Sequence, residues 1–301
     1  MTLAVTGATG FVGQRLLDLA AERDIPVRAL TRRPQPPSHR VTWIEGALGD
    51  PQSLAGLVEG ADAVIHIAGL ISGTRAAFDA VNIGGTQAVV DAATAAGVRR
   101  FVHISSLAAR EPELSSYGWS KAGSEAVVAA SALDWTIIRP PAIYGPGDRE
   151  TLELFRMARR GIVALPPGGH FSIIHVDDLC RLILDIVAAP ASHGQTYEPD
   201  DGQEGGWEHK AFARTLGRAF DRRAWGLSTP RALMAAASRI EGLVRGDKAK
   251  LTADRVRYFC HPDWVVTAHK RPPAALWQPR IATLEGLRTT AAWYMEQGWL
   301  R

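Results

Sequence analysis

Tyr117 and Lys121 stand four residues apart in SSYGWSKAGSE, so on a helix they share one face. A phenol ordinarily titrates at about 10, and a nearby ammonium favours the phenolate, which brings proton exchange closer to neutral pH. Tyr117 can then act as an acid or a base. The same spacing also describes a surface aromatic beside a solvated lysine. Gly118 and Gly123, however, each weaken an isolated helix by about 1 kcal/mol relative to alanine, so tertiary contacts must hold the segment. Upstream, the strand-like run RFVHISS ends in Ser105 and Ser106, and either hydroxyl can orient a substrate oxygen or simply end the strand.

A second group of residues suits an anion. In LAVTGATGFVGQRLL, Gly7, Gly10 and Gly13 lie between a β-branched run and an amphipathic one, at a strand-to-helix turn. Without β-carbons the backbone can approach a pyrophosphate, and the free N–H groups of the helix start point at its charge. His170 and His175 invite a metal or acid/base reading. Five apart on a predicted strand, they point to opposite faces, and no metal site is expected.

The elements that must position these groups alternate. Candidate strands fall at 3–6, 27–30, 41–45, 63–68, 101–105 and 135–139, and candidate helices at 14–23, 74–96, 116–130, 150–160 and 177–188. Such alternation predicts an α/β fold with a doubly wound parallel sheet, whose ligands lie outside the carboxyl ends of the strands. AVIHIA and RFVHIS are apolar at nearly every position, as central strands covered on both faces require. The alternation loosens after about residue 150. We expect a dinucleotide-binding domain over 1–165, with 171–190 returning to it, and a smaller, mostly helical substrate lobe over 191–301, the substrate lying in the cleft between sheet and lobe.

The 301 residues are 46% hydrophobic and 22% charged, with 34 Lys and Arg against 31 Asp and Glu, which excludes a disordered chain and gives a nucleic-acid partner little support. The two cysteines, Cys180 and Cys260, have no metal-ligand spacing, and no leader-like segment precedes the first strand, so a reducing, cytoplasmic setting is expected. No apolar run suggests a transmembrane segment. Peripheral membrane contact stays open.

Taken together, TGATGFVG, VIHIAG, VNIGGT, FVHISS, YGWSK, RPPAIYGPGD and IIHVDDL resemble, in order and spacing, the extended short-chain dehydrogenase/reductases, the NAD-dependent epimerase/dehydratase family. The likeness covers about residues 1–190. It implies a Rossmann-type sheet in which Gly7, Gly10, Phe11, Val12 and Gly13 hold the pyrophosphate and Ile67, Ala68 and Gly69 line the adenosine side. It further implies that Tyr117, Lys121 and Ser106 form a catalytic set, with Lys121 also on the nicotinamide ribose. Asn82 matches a structural asparagine, and Pro140 to Ile143 match the loop beside the carboxamide. The family often forms homodimers through helices flanking the sheet.

Three departures from the family pattern matter. Where NAD-preferring members carry an acidic residue after the second strand, this chain has Thr31, Arg32 and Arg33, which suit a 2′-phosphate. Ala47 and Leu48 replace the adenine-holding Asp-aliphatic pair, leaving a backbone contact from Leu48. Ile71 stands where UDP-galactose epimerases have a lysine. A stripe of Leu233, Met234, Ala237, Ile240, Leu243 and Val244 offers either ordinary core packing, a roof for a greasy pocket, or a membrane contact. The expected activity is NAD(P)(H)-dependent interconversion of a ketone and a secondary alcohol, NADP(H) preferred and NAD(H) allowed, on a small hydrophobic molecule such as a keto-lipid or sterol. The rivals are a nucleotide-sugar epimerase or dehydratase with tightly held NAD, and a non-catalytic dinucleotide sensor or assembly factor.

Overall fold

The computed structural model describes residues 1–245 and 252–300. The chain runs β1 (Leu3–Thr6), α1 (Phe11–Glu22), β2 (Val27–Thr31), β3 (Val41–Glu45), α2 (Pro51–Val58), β4 (Ala63–His66), α3 (Arg75–Phe78), α4 (Gly85–Ala95), β5 (Arg100–Ile104), α5 (Ser116–Ala129) and β6 (Asp134–Ile138). It continues through β7 (Ala142–Tyr144), α6 (Leu152–Arg159), β8 (Ile162–Leu165), β9 (His170–Phe171), β10 (Ile173–His175), α7 (Val176–Val187) and β11 (Gln195–Tyr197). The last part holds β12 (Trp207–Glu208), α8 (His209–Arg218), β13 (Trp225–Ser228), α9 (Arg231–Arg245), α10 (Ala253–Phe259), β14 (Asp263–Trp264) and α11 (Thr283–Glu296).

Seven strands form one parallel sheet in the order β11–β6–β5–β4–β1–β2–β3, the Rossmann-like architecture that the alternation predicts. Every residue of β1, β4 and β5 is buried, which is why these strands read as continuous apolar runs. Val64, Phe101 and Ile137 pack against Leu54 and Leu57 of α2 and Val89 of α4. Each such side chain contributes about 1.5–3 kcal/mol when removed from water. The strand order reverses between β1 and β4, so the loops after these two strands open at a topological switch point.

The helix expected over 74–96 is divided. Between α3 and α4, Asp79–Gly84 form a wider π-helical turn, and Asn82 within it is 2% exposed. An apolar spacing pattern does not register one added residue per turn, and such turns often mark functional positions.

By contacts the residues fall into two units. One comprises Met1–Arg139, Leu179–Glu198 and Pro272–Trp277; the other comprises Pro140–Asp178, Pro199–Arg271 and Gln278–Arg301. The division at Arg139, rather than after 165, follows from pairing: β7 binds β10 and β8 binds β13, outside the main sheet. Conversely β11, expected in the lobe, extends the sheet beside β6. The second unit has its own core around Tyr144, Phe155, Leu165, Phe212, Leu287 and Tyr294. Core packing does not describe the stripe on α9, because Leu233, Ile240 and Leu243 are exposed and the helix buries Ser238 instead. The side chain of Val244 lies outside those described.

The glycines of α5 have a packing reason. A β-carbon on Gly118 would lie 2.6 Å from the Ala108 carbonyl oxygen and 3.1 Å from that of Glu111, both backbone atoms, whereas one on Gly123 would meet only the end of the Ile83 side chain. Gly118→Ala is therefore expected to lose about 1–3 kcal/mol despite its better helix propensity, and Gly123→Ala less than about 1. Urea unfolding of both variants measures the difference; equal effects would remove the close-approach explanation.

Candidate active site

The glycine turn follows β1 at the switch point. Gly7 has φ +74°, and a β-carbon there would lie 2.7 Å from the Ala68 amide nitrogen, in the loop after β4. A β-carbon on Gly13 would fall on the Gly7 carbonyl oxygen, so α1 can start this close to the strand only with glycine at that position. Thr6 ties the two loops together, since its Oγ1 accepts the Ala68 N–H at 3.2 Å. Asp50 and Ser115 cap α2 and α5 with their own side chains, but Gly10 caps α1 with none. The first-turn N–H groups of α1, including those of Phe11 and Val12, thus keep donor capacity for an anion.

Asn82 braces the loop after β4. Its Oδ1 accepts the Leu70 N–H at 2.7 Å, and its Nδ2 donates to the Leu70 carbonyl at 3.1 Å and to Ser120 Oγ at 2.8 Å. This joins the Ile67–Gly69 segment to α5, the helix that carries Tyr117 and Lys121. Lys121 is 5% exposed, and its ammonium donates to the Ile104 carbonyl at the end of β5, at 2.7 Å. Tyr117 is half-buried, with its ring 6.1 Å from that of Phe78.

The two serines after β5 have different surroundings. Ser105 is buried and donates to Glu125 Oε1 at 2.5 Å. Ser106 is partly exposed, and its Oγ accepts the Ala108 N–H at 3.2 Å, starting the short 3₁₀ turn Leu107–Arg110. Gly118 lets that turn approach α5 closely, and Lys121 reaches the Ile104 carbonyl two residues before Ser106. Of the two serines, Ser106 is the more exposed.

Sequence reasoning missed the charges behind this group. Glu125 lies four residues beyond Lys121, one more step of the spacing that picked out Tyr117, and that spacing is the signal that could have found it. Arg139 donates to both Glu125 oxygens, at 2.8 and 2.6 Å, and its Nη1 reaches the fully buried Glu198 at 3.4 Å. Nothing local identifies Glu198, which arrives with β11. Beneath Lys121, the rings of His66 and His103 stack 5.4 Å apart on paired strands. Burial, aided by the Lys121 charge, pushes His66 down to about 3 and His103 well below its usual range, so both are neutral. Burial also pushes the Lys121 ammonium down, to about 8, against the pull of Glu125.

Arg32 and Arg33 are exposed just beyond β2, and among the described residues neither has an acidic partner. Leu48 lies against Gly85, where a β-carbon would be 2.8 Å from its Cδ1, which gives the second glycine of VNIGGT its reason. Pro140 and Ile143 belong to the second unit. His170 is exposed and His175 buried, and among the described residues no cluster of His, Cys, Asp or Glu is arranged for a metal.

A glycine cradle at the switch point of a parallel sheet, an uncapped helix start and a buried lysine one turn from a tyrosine together define a dinucleotide-binding unit. The family model described as NAD(P)H-binding matches residues 7–188. A ceramide reductase of Caulobacter vibrioides is 35% identical, covering 99% of this chain and 96% of that protein. A 4-hydroxy-2-methyl-3-oxo-4-farnesyl-3,4-dihydroquinoline-1-oxide ketoreductase of Stigmatella aurantiaca is 30% identical over 67% of this chain and 69% of its own. The solved structure of MoeE5 in complex with UDP-glucose and NAD superposes with a TM-score of 0.72 over 98% of this chain and 99% of that one, at 22% identity, a likeness of fold. The chain belongs to this NAD(P)H-binding family, within the extended short-chain dehydrogenase/reductases of the epimerase/dehydratase type. Its cofactor is a nicotinamide dinucleotide. Among the described residues no helix is long and apolar enough to cross a membrane.

The lowered Lys121 value carries a stability signature. Its folded value of about 8 lies below the usual 10.5, so between these pH values the unfolded chain binds more protons and stability from this group rises with pH. Lys121→Met should therefore remove an upward contribution of at most about 3 kcal/mol over that window, and Glu125→Gln should start the rise at lower pH. Urea midpoints of the ligand-free proteins across pH 7 to about 10.5 test this; parallel curves for wild type and Lys121→Met would contradict it.

Proposed function

We propose that the protein is an NADP(H)-preferring oxidoreductase that interconverts a ketone and a secondary alcohol on a hydrophobic, acyl-chain-bearing substrate, with Tyr117, Lys121 and Ser106 at the reacting oxygen. The observation that carries this reading is the likeness, along nearly the whole of both chains, to a ceramide reductase. The farnesyl-bearing substrate in the name of the ketoreductase relative points the same way. Ile71, 52% exposed where a sugar-nucleotide enzyme of the family would carry a lysine, favours an apolar over an anionic ligand.

The residues fit a dinucleotide as follows. The Gly7, Gly10 and Gly13 turn, with the first amides of α1, receives the pyrophosphate; Leu48 and Ile67 to Gly69 border the adenosine; Arg32 meets a 2′-phosphate; Lys121 reaches the nicotinamide ribose. When bound, the nicotinamide supplies or accepts a hydride. The work of the chain is then proton transfer and orientation. In the reductive direction the Ser106 hydroxyl holds the carbonyl oxygen and Tyr117 delivers its phenolic proton to it. The Lys121 ammonium, still protonated at neutral pH with a value of about 8, stabilises the phenolate left behind. The neutral His66 and His103 pair adds no competing positive charge beneath it.

Absorbance of reduced nicotinamide, followed over ketones of increasing chain length, tests the reading. Net consumption of NADPH should occur, with kcat/KM rising by up to about 0.8 kcal/mol per buried CH₂ until the site is full. Retained NAD without net turnover, together with tight UDP-sugar binding, would replace it with the epimerase reading. Tyr117→Phe should lower kcat by about 100 to 10,000-fold with dinucleotide affinity nearly unchanged. Arg32→Ala should cost about 1.5–3 kcal/mol of NADPH binding and leave NADH binding untouched, and equal losses would make Arg32 an ordinary surface charge.

A further inference from the structure

In the second unit, β8 and β13 form a two-stranded parallel sheet with Trp225 opposite Ile162 and Leu227 opposite Ala164. Alternation sends Val163 and Leu165 into the core and puts Ile162, Ala164, Trp225 and Leu227 on the other face. That face is bare: Trp225 is 69% exposed, Leu227 55% and Ile162 52%. The open side of a sheet is ordinarily polar, and large apolar side chains grouped on it mark a contact surface.

Because the strands are parallel, the chain enters both from the same end, and each time through two arginines. Arg159 and Arg160 precede Gly161 and Ile162; Arg222 and Arg223 precede Ala224 and Trp225. The Trp225 N–H donates to the Gly161 carbonyl at 2.8 Å, and Arg222 Nη1 donates to that of Arg159 at 3.2 Å, which locks the pairs side by side. Arg156, Arg159, Arg160 and Arg222 line, with Trp299, a depression of about 710 Å³. Arg156 is held by Glu153, and the neighbouring Asp221 by Arg288. Among the described residues Arg159, Arg160, Arg222 and Arg223 have no acidic partner, and Arg159 Nη1 is a buried donor without an acceptor. One residue after Ser228 and Thr229 comes Pro230, and α9 then exposes Leu233, Ile240 and Leu243 together with Arg231 and Arg239.

We propose that this edge of the second unit docks on an anionic bilayer surface, with the arginine pairs on lipid phosphates and Trp225, Ile162 and Leu227 in the headgroup and acyl boundary. Charge complementarity selects the ligand: unpaired guanidiniums bind phosphate, and a free phosphate ion would leave the apolar row beside them unused. An aromatic and aliphatic row flanked by basic side chains is the composition by which proteins lie in a membrane interface.

Co-sedimentation of the full chain with phosphatidylcholine vesicles, with and without phosphatidylglycerol, tests the proposal. Binding should require phosphatidylglycerol and weaken with salt. It should fall at least about tenfold in Trp225→Ser/Leu227→Ser and about fivefold per charge removed in Arg160→Gln/Arg223→Gln. These side chains are exposed, and unchanged thermal unfolding and dinucleotide binding of each variant confirm that it folds. Three outcomes overturn the proposal: partition equal for wild type and both variants; no vesicle binding, but arginine-dependent stabilisation by inorganic phosphate alone; or no vesicle binding, but a dimer in sedimentation that Trp225→Ser dissolves.

Discussion

The hydrogen bond from the Lys121 ammonium to the carbonyl of Ile104 joins the charged helix α5 to the end of the central strand β5. A buried ammonium is costly, and the structure offsets that cost locally. Glu125, one turn further along α5, supplies the opposite charge and is itself held by Ser105 and by both arms of Arg139. Removing one partner from such a buried pair typically costs about 3–5 kcal/mol, because the other charge is left without water or counterion. The cluster therefore fixes the rotation of α5, and with it the direction of Tyr117 one turn before Lys121.

A second constraint acts through atoms that are absent. Gly7, Gly13 and Gly118 each stand where a β-carbon would meet backbone, so the turn after β1, the start of α1 and the 3₁₀ turn after Ser106 approach their neighbours more closely than any other residue permits. The strand order makes the placement useful. With the chain reversing between β1 and β4, the amides at the start of α1 and the loop held by Asn82 open side by side.

The second unit follows a different logic. Its core of aromatic and aliphatic side chains from Tyr144 to Leu300 is closed by short strand pairs and helices, and two of those strands, β8 and β13, keep apolar residues on the side away from the core. The same alternation that builds the core from Val163 and Leu165 thus leaves Ile162 and Trp225 outside it. The turns that admit these strands each bring two arginines, Arg159 and Arg160 into β8 and Arg222 and Arg223 into β13.

By itself the sequence determined the parallel sheet and the nicotinamide-dinucleotide class of the chain. Short apolar runs alternating with helical spacing point to inner parallel strands, and the bounds of β1 and β3 follow residue for residue; the glycine spacing and the Tyr117–Lys121 interval are local patterns, readable without neighbours. What depends on residues distant in the chain was not legible. Ser105 and Ser106 are indistinguishable as letters, and only Glu125, twenty residues on, turns one inward and leaves the other accessible. The π-helical turn around Asn82, the capture of Glu198 by Arg139 and the exposed stripe of α9 likewise arise from what packs against what. Periodicity records which residues share a face; burial and partner, which decide whether that face meets core, ligand or solvent, exist only once the chain has closed on itself.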